Sequence, residues 1–86
     1  MAGFQAMNSD EIRTSVEQIA REVFDDETIV VTDSLGKDDL KSWDSLGHIR
    51  LITATEEAFG ISFTIEEIEA VSSMGQLLRN IAEKTS

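Results

Sequence analysis

Residues 42–48 read Ser-Trp-Asp-Ser-Leu-Gly-His and hold the best-placed group for covalent chemistry in this chain. Ser45 follows Asp44, opens an apolar run with helical spacing, and has the sole histidine, His48, three residues ahead. That separation puts two side chains on one face of a helix. A serine nucleophile needs a base, a third group to orient the base, an oxyanion hole and a sheltered pocket. With 86 residues and one histidine, the chain has little volume or chemistry for that set, and it is read as not an enzyme. His48 then reads as a half-exposed helix side chain. Ser45 has a plain structural role available, since a hydroxyl at a helix start satisfies free backbone amides. Spacing alone leaves the purpose of the hydroxyl open.

Other chemistries fare worse. There is no cysteine, so disulfides, thiolate metal sites and an intrinsic thiol nucleophile are excluded. The stretch Asp33-Ser34-Leu35-Gly36-Lys37-Asp38-Asp39 invites comparison with a calcium loop. Placing Gly36 at the sixth loop position, however, puts Val31 at the first, where an oxygen ligand is required. No metal site is expected, and Asp25 and Asp38 read as solvated loop surface. Seventeen acidic against seven basic residues give a formal net charge of -10, which repels phosphate backbones and anionic lipid. Nucleic acid is not an expected partner and membrane insertion is not expected. The opening residues lack the basic and apolar regions of a secretory signal, and no apolar run approaches the length of a membrane span. A cytoplasmic monomer is the expectation.

The elements that must position Ser45 follow from periodicity. Residues 1–8 carry no usable pattern and are expected to form a disordered lead to a single domain at 9–86. Ser9, with Asn8 as competitor, caps a first helix from about Asp10 to Phe24, with Ile12, Val16, Ile19, Ala20 and Val23 on one stripe. Residues 25–44 break the period. Thr28 to Val31 has β-propensity but no strand partner, so the segment is expected to be an ordered loop pegged to the core by Leu35 and Leu40. Roughly twenty residues of loop in so small a domain suggests a functional connection. The second helix spans about Ser45 to Phe59, with Asp44 as cap, Leu46, Ile49, Ile52 and Phe59 as its apolar stripe, and Gly60 as a left-handed stop. Thr64 to Glu67 and Ser73 to Gln76 fit the capping-box pattern and open a short third helix (about Ile65 to Ala70) and a fourth (about Met74 to Lys84). The fold class is all-α: a four-helix bundle with a long loop between the first two helices and a short third helix.

The string from Asp33 to Ile81, with Asp-Ser-Leu twice, Asp-Asp-Leu between them, Glu-Glu-Ala-Phe-Gly-Ile closing the second helix and Glu-Glu-Ile-Glu-Ala-Val-Ser-Ser-Met-Gly-Gln-Leu across the last two, resembles the acyl carrier proteins. The similarity covers about Ser9 to Glu83. It implies that Ser45, flanked by Asp44 and Leu46, receives a 4'-phosphopantetheine arm from coenzyme A through a phosphopantetheinyl transferase and magnesium. The imported thiol would carry acyl or related groups as thioesters in fatty acid, polyketide or other secondary or surface-polymer biosynthesis. A helix start suits the incoming phosphate, by about 0.3–1 kcal/mol at an exposed end.

The resemblance also gives the acidic residues a role. Between Ala54 and Ala70 there are five glutamates and no lysine or arginine. Glu56, Glu57, Glu66 and Glu67 would form the surface read by basic patches on the transferase and on acyl-loading and acyl-transfer enzymes, although each glutamate alone is equally a solvated helix position. Carriers of fatty acid synthesis place acidic residues after the serine, whereas Gly47, His48 and Arg50 stand here, which favours a specialised stand-alone carrier. Gly47 costs the helix about 1 kcal/mol relative to alanine and marks either close approach of the arm or partner, or tolerance. Trp43 reads as a packing anchor for the loop. The alternative to a carrier is an acidic helical interaction module that keeps the fold without the arm.

Overall fold

The computed structural model describes residues 8–85, and all of the lead expected at residues 1–8 except Asn8 lies outside the described residues. Among the described residues there are four α-helices and no strand: α1 (Ser9–Val23), α2 (Ser45–Phe59), α3 (Ile65–Ala70) and α4 (Met74–Thr85), with one 3₁₀ turn at Lys37–Asp39. Asn8, not Ser9, caps α1. Its side chain accepts the Glu11 amide at 2.8 Å while the Glu11 carboxylate accepts the Asn8 amide at 3.1 Å. Asn8 therefore belongs to the folded domain and Ser9 is the first helical residue. Ile12, Val16 and Ala20 are buried along one face of α1, which packs against both α2 and α4.

The long connection is ordered by helix side chains in place of a β-partner. Ile29 and Val31 point into the core while Val30 between them is exposed, the alternation of an extended chain. Its backbone groups are satisfied from α1: Arg21 donates to the Ile29 carbonyl at 2.9 Å, Glu17 accepts the Val31 amide at 3.0 Å, and Arg13 donates to the Val31 carbonyl at 3.0 Å and pairs with Asp33. Leu35 and Leu40 are partly buried against the core, as their spacing predicts. Further on, the loop serves α4, whose leading amides need partners outside the helix. Met74 donates to the Leu35 carbonyl at 2.8 Å and Gly75 to that of Asp33 at 3.0 Å. The capping box expected at Ser73 and Gln76 is only half formed. The Gln76 amide reaches the Ser73 hydroxyl at 3.4 Å, but the Gln76 side chain turns to Ser72.

The other boundaries follow local signals. Gly60 adopts the left-handed conformation at φ 67° and ends α2. Thr64 and Glu67 exchange side-chain and backbone hydrogen bonds at the start of α3. Lys84 near the end of α4 pairs with Glu67 at 2.8 Å and lies 5.4 Å from the Phe63 ring centre, tying α4 to α3.

The inward face of α2 departs from the stripe expected for it. Gly47, His48, Leu51, Ile52 and Thr55 are buried, whereas Leu46 and Ile49 are 61% and 51% exposed. Hydrophobicity misplaces this face because three of its five members are a glycine, a histidine and a threonine, each buried through a specific contact. Thr55, for one, returns its hydroxyl to the Leu51 carbonyl at 2.8 Å.

Candidate functional site

Ser45 is the first residue of α2 and is exposed. Asp44 takes the cap, its carboxylate accepting the Gly47 amide at 2.8 Å. The capping role open to Ser45 is thus filled by its neighbour, and its hydroxyl makes no hydrogen bond among the described residues. Leu46 stands beside it in solvent, followed one turn further along the helix by the exposed Ile49 and Arg50.

The turn beneath Ser45 is held close. A Cβ built on Gly47 would lie 2.1 Å from the Ser42 carbonyl oxygen and 3.1 Å from Phe24 Cε1. Gly47 is therefore required by the chain's own loop crossing the first turn of α2, and is more than tolerated there. Trp43 is buried at 3% exposure, as expected of an anchor, and its ring packs on Phe24 with centroids 6.1 Å apart.

His48 corrects the expectation of a half-exposed side chain: it is 6% exposed. The Trp43 indole N–H donates to His48 Nδ1 at 2.9 Å, and Nε2 lies 2.7 Å from the Ile68 carbonyl oxygen of α3. An indole only donates and a carbonyl only accepts, so the ring must be neutral with its proton on Nε2. Both nitrogens are then committed to structure. His48 has none to offer Ser45 as a base, and the nucleophile-and-base pairing suggested by their spacing is closed. His48 is also the residue whose importance the sequence conceals. Its partners are Trp43, five residues back, and a main-chain oxygen twenty residues ahead.

The four glutamates expected to meet partners divide into two kinds. Glu57 and Glu66 are exposed. Glu56 is half-buried and accepts the Phe63 amide at 2.8 Å, closing the turn between α2 and α3. Glu67 is engaged by Lys84 and Thr64, contacts that hold its carboxyl below the ordinary glutamate range, the Lys84 hydrogen bond most of all. Two members of the acidic set thus have internal work, which a run of like charges in sequence cannot reveal.

Ser45 thus presents an exposed, unengaged hydroxyl at the capped start of α2, with the neighbouring histidine committed to structure. No protein-family model matches the sequence. The acyl carrier proteins of Rickettsia massiliae and Rickettsia prowazekii are each 32% identical to it over 71 residues, covering 83% of this chain and 81% of theirs. The solution structure of the holo acyl carrier protein from Geobacter metallireducens superposes with a TM-score of 0.81 at 33% identity, covering 85% of this chain and 84% of that one. The chain belongs to the acyl carrier protein family. Such proteins are carriers and not enzymes.

Proposed function

We propose that the Ser45 hydroxyl is the attachment point of a 4'-phosphopantetheine arm and that the protein carries acyl or related groups on it. The observation that carries this reading is the exposed, unpartnered hydroxyl at the start of α2, left free because Asp44 supplies the cap. The similarity to a holo carrier supports it. In the loading step Ser45 Oγ attacks the pantetheine-bearing phosphorus of coenzyme A. The bond from that phosphorus to the nucleotide phosphate breaks, adenosine 3',5'-bisphosphate leaves, and the serine proton passes to the base of a phosphopantetheinyl transferase. Here the chain's own contribution is placement: a primary hydroxyl with no wall above it, on a turn clamped from below, at a helix end that favours phosphate. The arm then supplies a terminal thiol for thioester chemistry, which a chain without cysteine does not itself possess.

Glu57 and Glu66 are the acidic positions free to meet basic patches on partner enzymes. The first turn of α2 has no acidic residue and Arg50 follows it, which supports a specialised pathway, secondary or surface-polymer, over a housekeeping one.

The test is intact mass after incubation with coenzyme A, magnesium and a broad-specificity transferase. Wild type should gain one phosphopantetheinyl group, as should Ser42→Ala and Ser34→Ala, and Ser45→Ala should gain none. Modification of Ser45→Ala would overturn the assignment. A wild-type chain that stays unmodified would instead indicate an interaction module that has kept the fold.

A further inference from the structure

We propose that His48 is a positioning residue that sets the serine-bearing turn of α2 and helix α3 in one fixed relation, so that loading at Ser45 depends on an imidazole that never touches the reacting atoms. The proposal rests on Ser45 being the loaded residue and adds how its turn is held. One neutral ring joins three elements within a turn of that hydroxyl. Nδ1 receives the indole of Trp43, two residues before Ser45. The ring itself hangs from α2, three residues after Ser45. Nε2–H reaches the Ile68 carbonyl near the end of α3.

Burial makes these bonds consequential. With Trp43 at 3% and His48 at 6% exposure the bond between them is buried, and breaking it strands a buried donor, while the bond from Nε2 to half-buried Ile68 is partly buried. The two bonds also depend on each other. A ring that donates through Nε2 must accept through Nδ1, so exchanging the tautomer would set two donors face to face at Trp43 and two acceptors at Ile68. Helix α3 is six residues long with no fully buried side chain within it; Glu67 ties it to α4 through Lys84, and the His48 bond to Ile68 ties it to α2. Loss of the ring contacts would therefore loosen α3 and the loop entering Ser45 together. Misplacing a reacting group by about 1 Å can cost as much as a hundredfold in rate, and a softened turn falls within that range.

The experiment uses the full chain and three substitutions. His48→Phe keeps a planar ring and drops both bonds. His48→Gln offers one acceptor and one donor from the same carbon, as the imidazole does. Trp43→Phe removes the indole donor and leaves His48 in place. Transfer from coenzyme A to Ser45 by a broad-specificity transferase is followed for kcat and KM, beside ¹⁵N spectra of each protein. His48→Phe is expected to lose about tenfold in kcat/KM, to shift amide resonances at residues 45–47 and 68–71 together, and to be restored by His48→Gln to within about threefold. Trp43→Phe should show a smaller loss of the same kind. A His48→Phe protein that is helical and loaded at the wild-type rate would overturn the proposal, as would amide shifts confined to one of the two regions. Should His48→Phe fail to fold, the wild-type imidazole ¹⁵N spectrum decides: a proton on Nε2 with Nδ1 bare supports the geometry, and the reverse defeats it. Failure of the Ser45 reading is separately visible, because wild type itself would then accept no arm while the ¹⁵N pattern would still stand.

Discussion

Gly47→Ala sets two effects against each other in a single residue. Alanine is better than glycine inside a helix by about 1 kcal/mol, so propensity predicts stabilisation. The new methyl, however, would meet the Ser42 carbonyl oxygen at 2.1 Å and Phe24 Cε1 at 3.1 Å. The first is more than roughly 1 Å inside a comfortable non-bonded separation, and the opposing atom is main chain, which cannot rotate aside. Relief requires the segment around Ser42 to lift from α2, although it is anchored next door by the buried Trp43 and its bond to His48. Overpacking of this kind reaches about 3 kcal/mol at its usual upper end, leaving a net loss of about 2 kcal/mol once helix propensity is subtracted. In a domain of this size that corresponds to a fall in Tm of roughly 8–16 °C. Thermal melts followed by circular dichroism, beside urea titration, would measure it. Thr53→Ala, at an exposed position in the middle of the same helix, reports propensity without a clash and should raise Tm slightly. A Gly47→Ala protein as stable as wild type, or more so, would refute the reasoning and show that the loop does not lie against the first turn of α2.

Two further outcomes follow from the charged groups. The folded-state pKa of Glu67 is depressed by Lys84 and Thr64, so its contribution to stability is present above the unfolded glutamate value of about 4.3 and fades as pH falls through the lower folded value. Glu67→Gln should therefore destabilise the protein at neutral pH and flatten its loss of stability below about pH 4.3, as read by urea midpoints across pH; an unchanged acid limb would remove Glu67 from the acid response. Glu57→Lys should slow transfer to Ser45 through the concentration-dependent step by several-fold at low salt, and added salt should narrow the gap because screening reaches about 8 Å at physiological ionic strength. Asp10→Lys makes the same change of charge at the far end of α1 and should do much less; equal slowing by both would assign the acidity to solubility alone.

What the sequence disclosed about this fold was what its local chemistry encodes. The start of α3 is legible because Thr64 and Glu67 form their box within four residues, and the end of α2 because Gly60 alone there tolerates the left-handed turn. The bounds of α2 and α3 match expectation for that reason, and Ser45 falls where the motif puts it. Misreadings occur where the partner is distant in the chain. Leu46 and Ile49 look like core and are surface; His48 looks like surface and is core, because Trp43 and the Ile68 carbonyl meet it only in the folded chain. Glu56 is indistinguishable from Glu57 in sequence, yet one closes a turn and the other faces solvent. Gly47 is explained only by the path of a loop that has no periodicity of its own.

The clasp between α1 and the extended segment also works as a length gauge. Arg13, Glu17 and Arg21 recur every four residues and engage main-chain groups of Val31 and Ile29 as the loop runs back along the helix, with Asp33 meeting Arg13 at the far end. Four helical residues advance about 6 Å, and two residues of extended chain advance about 6.6 Å. The two repeats are nearly commensurate, so one rung of helix side chains serves each pair of loop residues. An insertion between Ile29 and Asp33 would put every later rung out of step and turn Ile29 or Val31 outward, whereas added length in the turn at residues 25–28 would leave the gauge untouched. The path from Ile29 to Asp33 is thus metered by helix pitch, which gives an irregular segment the register discipline ordinarily supplied by a neighbouring strand.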